Sequence, residues 1–184
     1  MKQTFRTFVE LEKGISRILK QAEEETLKEM LDKLLDIIEE NVYSVPATGS
    51  DYIRTRQLVA RQYGGDDSYF WDITDVKVNR KGMITGGIEP SGNMLIRVPW
   101  THTSLVNDDL TVDGYLDIIE NGLSAENSIF GQIYGRPFWE EFQKWCKRNY
   151  TKIFKKHCRK LGLNLGSGFR SSYLPSSGIN VERK

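Results

Sequence analysis

The feature that most limits what this chain can fold into is a run of apolar residues between Ile15 and Val42. Ile15, Ile18, Leu19, Ala22, Leu27, Met30, Leu31, Leu34, Ile37, Ile38 and Val42 recur at steps of three and four, which lines one side of an α-helix and no side of a strand. The stripe predicts a helix over 15–42, ~40 Å long, and so long a stripe must be covered by the rest of the chain. Upstream, Phe5, Thr7, Val9 and Leu11 fall on one side of an extended segment and predict a short strand over 4–11, ended near Gly14. Thr7 and Glu10 also have the spacing of a helix capping box, the alternative for the same segment.

Pro46 and Gly49 close the first helix and open a polar, basic loop that reaches Gln57. From Tyr69 the period becomes two: Phe70, Asp72, Thr74, Val76 and Val78 alternate with Trp71, Ile73, Asp75 and Lys77, so Trp71 and Ile73 are expected on one face and Phe70 with the valines on the other. Strands at 69–79, 83–89 and 93–98, separated by Arg80–Gly82 and Pro90–Asn93, make a small antiparallel meander. Asp113 is expected to cap a short helix through Tyr115, Leu116, Ile118 and Ile119, with Gly122 ending it. Pro137 suits the first position of the last helix, with Glu140 and Glu141 at its positive end and Lys155, Lys156, Arg159 and Lys160 at its negative end. Phe138, Trp139, Phe142, Trp145, Cys146, Ile153, Phe154 and Leu161 supply its apolar surface. The fold class is therefore α+β: a long N-terminal helix and a basic C-terminal helix packed on a small antiparallel sheet. Residues 1–162 form one domain, and the Gly- and Ser-rich stretch 163–184 is an extended tail. At 184 residues such a chain buries roughly 70% of its unfolded surface.

Composition narrows the function. A net charge of +1 argues against a dedicated nucleic-acid binder, which normally carries a large basic excess. The charges are sorted, however: acids outnumber bases from Glu23 to Glu40, whereas Lys144–Lys160 holds eight Lys or Arg and no acid. Such a split can join unlike surfaces of neighbouring subunits. The start, Met1–Leu11, lacks the apolar core of a secretory signal, and no stretch approaches the ~20 apolar residues of a membrane span; no membrane partner is expected, and the protein is expected to remain in the cytosol where it is made. Cys146 and Cys158 lie twelve residues apart on one predicted helix, ~18 Å along its axis, too far to bridge, and read as reduced core thiols.

Catalytic signatures are scarce. His102 and His157 have no second ligand at metal-site spacing, so neither a metal nor a cofactor is expected, and His157 reads as a structural or surface residue. Gly-Lys-Ser/Thr loops and Gly-x-Ser-x-Gly elbows do not occur. The best enzymatic candidate is Asp75-Val76-Lys77, a half-site of a metal-dependent nuclease with Asp51, Asp66 or Glu89 as second carboxylate; alternating charges on the wet face of a strand are commonplace and the structural reading is preferred. The basic last helix could touch DNA phosphates with steep salt dependence, but a solvated or subunit-facing side is the simpler account. The chain reads as a non-enzyme.

Taken in order, the Pro46-Ala47-Thr48-Gly49 loop with Tyr52, Arg54, Thr55 and Leu58, then Tyr115–Gly122, then Arg136-Pro137-Phe138-Trp139 opening a basic helix, resemble the neck and tail-completion proteins of tailed bacteriophages, of the gene-product-ten type. Tyr115, Ile119, Glu120 and Gly122 match that family's aromatic-x-x-hydrophobic-Glu-x-Gly element, and Arg136, Pro137 and Phe138 its Arg-Pro-Phe. The likeness covers residues 9–162; Trp100–Thr111 is longer than the family minimum, and the tail has no counterpart. The resemblance implies a structural ring subunit of the virion neck, joining the portal and adaptor proteins to tail-terminator or tail-tube proteins. Double-stranded DNA would pass through it without sequence-specific binding. On that expectation Thr48, Gly49, Tyr52, Arg54 and Arg56, with Gly122, Arg136 and the loop between them, contact neighbours, and Pro137, Phe138 and Trp139 anchor the last helix.

Overall fold

The computed structural model describes residues 7–44, 57–59, 70–90, 112–123 and 133–169. Its spine is α1 (Phe8–Ile38), which continues without interruption into a π-helical turn, Glu39–Tyr43. Thr7 is extended and its Oγ1 accepts from Glu10 N at 3.2 Å, so the capping-box spacing decides the start of the chain. The strand expected over 4–11 is helix from Phe8 onward, and residues 4–6 lie outside the described residues. A local cap satisfies a first-turn N–H at once, whereas a strand there would need a partner strand to pair with. Gly14 sits within the helix. Ala22, Leu27, Met30, Leu34 and Ile38 are fully buried, so the stripe that predicted the helix is the stripe it buries.

One side of α1 is covered by an irregular antiparallel hairpin. Its outer pair is β1 (Trp71–Ile73) with β4 (Ile88–Pro90), and its inner pair is β2 (Lys77–Val78) with β3 (Ile84–Thr85). The register sets Trp71 opposite Pro90, Ile73 opposite Ile88, and Lys77 opposite Thr85. Asn79 closes the end, its Oδ1 accepting from Lys81 N and Met83 N. The single strand expected over 69–79 is thus two short ones. It breaks where Val76 turns into the core beside Leu27, close against Gly86 across the hairpin. Phe70 and Trp71 are both buried, edge to face at 5.2 Å, rather than on opposite faces, because Phe70 precedes the strand. The strand expected over 93–98 lies outside the described residues.

α2 (Val112–Asn121) begins one residue before Asp113, which therefore lies inside the helix and not at its cap. Gly122 ends it with φ +85°, the left-handed conformation that favours glycine, and opens β5 (Gly122–Leu123), paired with β6 (Ile133–Tyr134). α3 (Trp139–Lys160) packs along α1 and buries Trp139, Phe142, Cys146, Phe154 and Cys158 completely. Its N-cap is Phe138, so Pro137 precedes the helix instead of opening it. Trp71 stacks on Trp139 at 5.6 Å and 5°, and donates from Nε1 to Leu58 O at 3.0 Å, tying hairpin, α3 and the 3-10 turn Gln57–Val59 together. Beyond Gly162, Leu163, Leu165 and Phe169 pack on the same core, Phe169 stacked on Phe154 at 5.7 Å. No described helix is long and apolar enough to cross a membrane.

Candidate functional site

The start of an α-helix leaves backbone N–H groups without intrahelical partners. At the start of α3 the N-cap, Phe138, offers no side-chain acceptor. The acceptor comes instead from α2. Glu120 Oε2 accepts from Phe138 N and Trp139 N, each at 2.8 Å, and Oε1 accepts from Glu140 N at 3.0 Å. Glu120 is only 3% exposed and lies one turn beyond the fully buried Leu116 on the same face of α2. A carboxylate held there also faces the positive end of the α3 dipole.

The chain leading into α3 is fixed from three sides. Arg136 N donates to Ile119 O at 2.7 Å, and Arg136 Nη1 donates to Val42 O at 2.9 Å. Asn41 Nδ2 donates to Pro137 O at 2.9 Å and to Glu141 Oε2 at 2.6 Å. At Gly135 the backbones touch: a Cβ there would fall 2.6 Å from Asn121 C and from Glu120 O. The end of α1, the end of α2 and the start of α3 therefore meet in one junction.

Gly122, Arg136, Pro137, Phe138 and Trp139 all converge on this junction. Phe138 and Trp139 are fully buried, Arg136 is half-buried, and Gly122 pairs with Tyr134, which is 64% exposed. Thr48, Gly49, Tyr52, Arg54 and Arg56 lie outside the described residues. Sequence reasoning named Glu120 only as a motif position and did not single out Asn41 or Gly135. The available signal for Glu120 was an acid four residues after Leu116, on the core-facing row of an apolar helix.

A second buried polar group sits between α1 and α3. Glu23, on the row that holds Leu19 and Leu27, is 2% exposed and accepts from Tyr150 Oη at 2.6 Å. Burial raises its carboxyl above the ordinary range, with the Tyr150 hydrogen bond pulling the other way. Nearby, Glu29 accepts from Lys156 Nζ at 2.6 Å and lies 3.0 Å from His157 Nε2, and the Lys156 hydrogen bond lowers its pKa. Of the structural and surface alternatives for His157, burial excludes the surface one, since the residue is largely buried. Burial pushes the Cys146 thiol up to about 12 and the Cys158 thiol up to about 11, so both stay protonated at neutral pH.

These shifts have opposite consequences for stability. Folded Glu23 holds its proton more tightly than unfolded Glu23, so its contribution is full below the ordinary carboxylate pKa and is lost as pH rises through the raised value. Glu29, with a lowered pKa, contributes above the ordinary value and loses that contribution on acidification. Glu23→Gln is therefore expected to gain stability relative to the native chain as pH rises from the ordinary carboxylate value through the raised one. Urea midpoints across that range measure it; parallel curves for the two proteins would show that Glu23 titrates alike folded and unfolded.

Asp75, the nuclease candidate, is 69% exposed and lies 3.5 Å from Lys20 Nζ and 3.9 Å from Lys77 Nζ. Glu89 stands opposite Asp72 in the hairpin, not opposite Asp75, and Asp51 and Asp66 lie outside the described residues. Among the described residues no group of three or more His, Cys, Asp or Glu is placed to hold a metal ion. Comparison with protein-family models, with curated proteins and with solved structures returned no match to this chain.

Proposed function

We propose that this chain is a non-enzymatic structural subunit of a tailed-bacteriophage neck, forming a ring that joins the portal and adaptor proteins to tail-terminator or tail-tube proteins. Double-stranded DNA passes through the ring without sequence-specific contact. The observation that carries the reading is the meeting of two elements of the resemblance that are distant in sequence. Glu120, from the Tyr115–Gly122 element, caps the helix that Arg136-Pro137-Phe138 introduces. Short motifs are individually common, but motifs that depend physically on one another specify a fold together. A ring subunit must keep its shape while neighbours load it, and this junction fixes three helix ends without exposing a reactive group.

The loop Thr48–Arg56 and the stretch Leu123–Arg136 are the surfaces offered to neighbours in this reading, and the virion neck is the site of action. The test is electron microscopy of the purified chain, alone and mixed with the connector and tail proteins encoded beside it. Rings are expected. A monodisperse monomer at high concentration that forms no ring with those partners would sink the proposal, as would magnesium-dependent DNA cleavage abolished by Asp75→Ala.

A further inference from the structure

The side of α3 turned away from the core carries a row of cations. Lys144, Arg148 and Lys152 step by four residues and Arg159 continues the line, so the four fall within ~80° of one another along ~22 Å of helix. All four are exposed, and Cys146, Tyr150 and His157 point the opposite way, into the core. The acids of α3, Glu140 and Glu141, are confined to its first turn, where Glu140 holds Lys144 at 2.8 Å and Glu141 accepts from Asn41. The first of these is an exchangeable surface pair. From Phe142 to Val181 the chain contains no Asp or Glu. Among the described residues Arg148, Lys152 and Arg159 have no carboxylate partner. Two neighbouring cations are engaged elsewhere: Lys156 with Glu29 at 2.6 Å, and Lys155 with Ser167 O at 3.4 Å beside the Phe169 ring.

A solvated helix face ordinarily interleaves the two signs, because like charges four residues apart repel. Along this row the repulsion is uncompensated, and an anionic partner relieves it. The kind of partner follows from what the row lacks. Protein interfaces are built around apolar anchors and are poor in Lys, whereas the exposed large apolar side chains among the described residues are Phe8, Val9, Leu11, Met83 and Tyr134, none of them on α3. Nor can α3 lie in a bilayer, since the apolar face it would insert is buried in the fold. A line of cations without an apolar centre suits a polyanion of regular charge, and duplex DNA carries one phosphate charge per ~1.7 Å of its axis. We infer that the Lys144–Arg148–Lys152–Arg159 ridge contacts the phosphate backbone of duplex DNA without reading its sequence. The net charge of +1 keeps binding by a single copy weak, and copies arranged around one duplex add their contacts. The inference rests on the neck reading for its setting, in which this side of α3 faces the DNA passage.

Fluorescence anisotropy of short labelled duplexes of two unrelated sequences, titrated with the full chain at about 50 mM and about 200 mM salt, tests it. Both duplexes are expected to bind alike at the lower salt, with a dissociation constant of about 10⁻⁴–10⁻⁶ M. At the higher salt binding falls roughly a hundredfold, the loss that about four phosphate contacts produce. R148Q/K152Q is expected to bind at least about tenfold more weakly at the lower salt, with a log–log salt slope shallower by about two, while keeping the native far-ultraviolet circular dichroism and thermal midpoint. R80Q/K81Q, at the exposed end of the hairpin, is expected to bind as the native chain does. No binding at the lower salt, equal losses in the two variants, or a preference for one duplex sequence would overturn the ridge contact. So would a connector or tail protein, or an anionic vesicle, that binds through Arg148 and Lys152 while the duplex stays free. Rings that form with the connector proteins while the duplex goes unbound would remove this inference and leave the subunit reading standing. Duplex binding through the ridge by a chain that forms no ring would keep the contact and remove the neck.

Discussion

Glu120→Ala is expected to lower the stability of this chain by about 3–5 kcal/mol, which would unfold a domain of ordinary stability under mild conditions. The substitution strands the Phe138, Trp139 and Glu140 N–H groups together. Each buried donor left without a partner costs about 1–3 kcal/mol, and the total is held below the simple sum because the first turn of α3 can fray. Fraying is itself costly here, since Phe138 and Trp139 are fully buried and water reaches the turn only if both aromatic side chains leave the core. Glu120→Gln keeps one acceptor oxygen but turns an amide toward the remaining donors, and is expected to lose about half as much. Urea unfolding followed by tryptophan fluorescence reads both values. A loss under about 1 kcal/mol for the alanine variant would show that the α3 start is held by apolar packing and not by this carboxylate.

Gly135→Ala is expected to cost about 3 kcal/mol, although it adds only a methyl group. The new Cβ would stand 2.6 Å from Asn121 C and Glu120 O, and both are backbone atoms that no rotamer change can move. Relief requires the end of α2 to slide away from the β6–α3 connection. That movement stretches the Arg136 N to Ile119 O hydrogen bond and draws Glu120 from the helix it caps. The two substitutions damage one junction, so Glu120→Ala and Gly135→Ala combined are expected to cost less than the sum of the separate losses. Strict additivity in a double-mutant cycle would mean that the cap and the backbone contact act independently.

Both expectations concern residues that act across long sequence separations, and this marks how far the sequence could be read. The apolar stripe of α1, the apolar surface of α3 and the Gly122 helix end were legible because each is written in neighbouring residues, at a period of three to four or at one conformationally permissive position. The start of α1 was written there too, in Thr7 and Glu10, but alternation over Thr7, Val9 and Leu11 favoured a strand. The local hydrogen bond decided it for helix. At Asp113 and Pro137 the residue types were right for helix starts and the positions were off by one or two: α2 already begins at Val112, and α3 begins at Trp139 with Phe138 as its N-cap.

Residue order alone carried the three helices, though not the first turns of α1, together with their apolar faces and the sorting of charge between the first helix and the last. Only the tertiary structure decided that Glu120 is a helix cap, that Glu23 is buried against Tyr150, and that the hairpin breaks at Val76. Periodicity assigns an apolar face but cannot say which backbone donor or hydroxyl an acid on that face will meet. The partners of Glu120 lie 18 to 20 residues away and the partner of Glu23 lies 127 residues away. A buried carboxylate persists only where such a partner arrives, and its arrival is a property of how the helices pack.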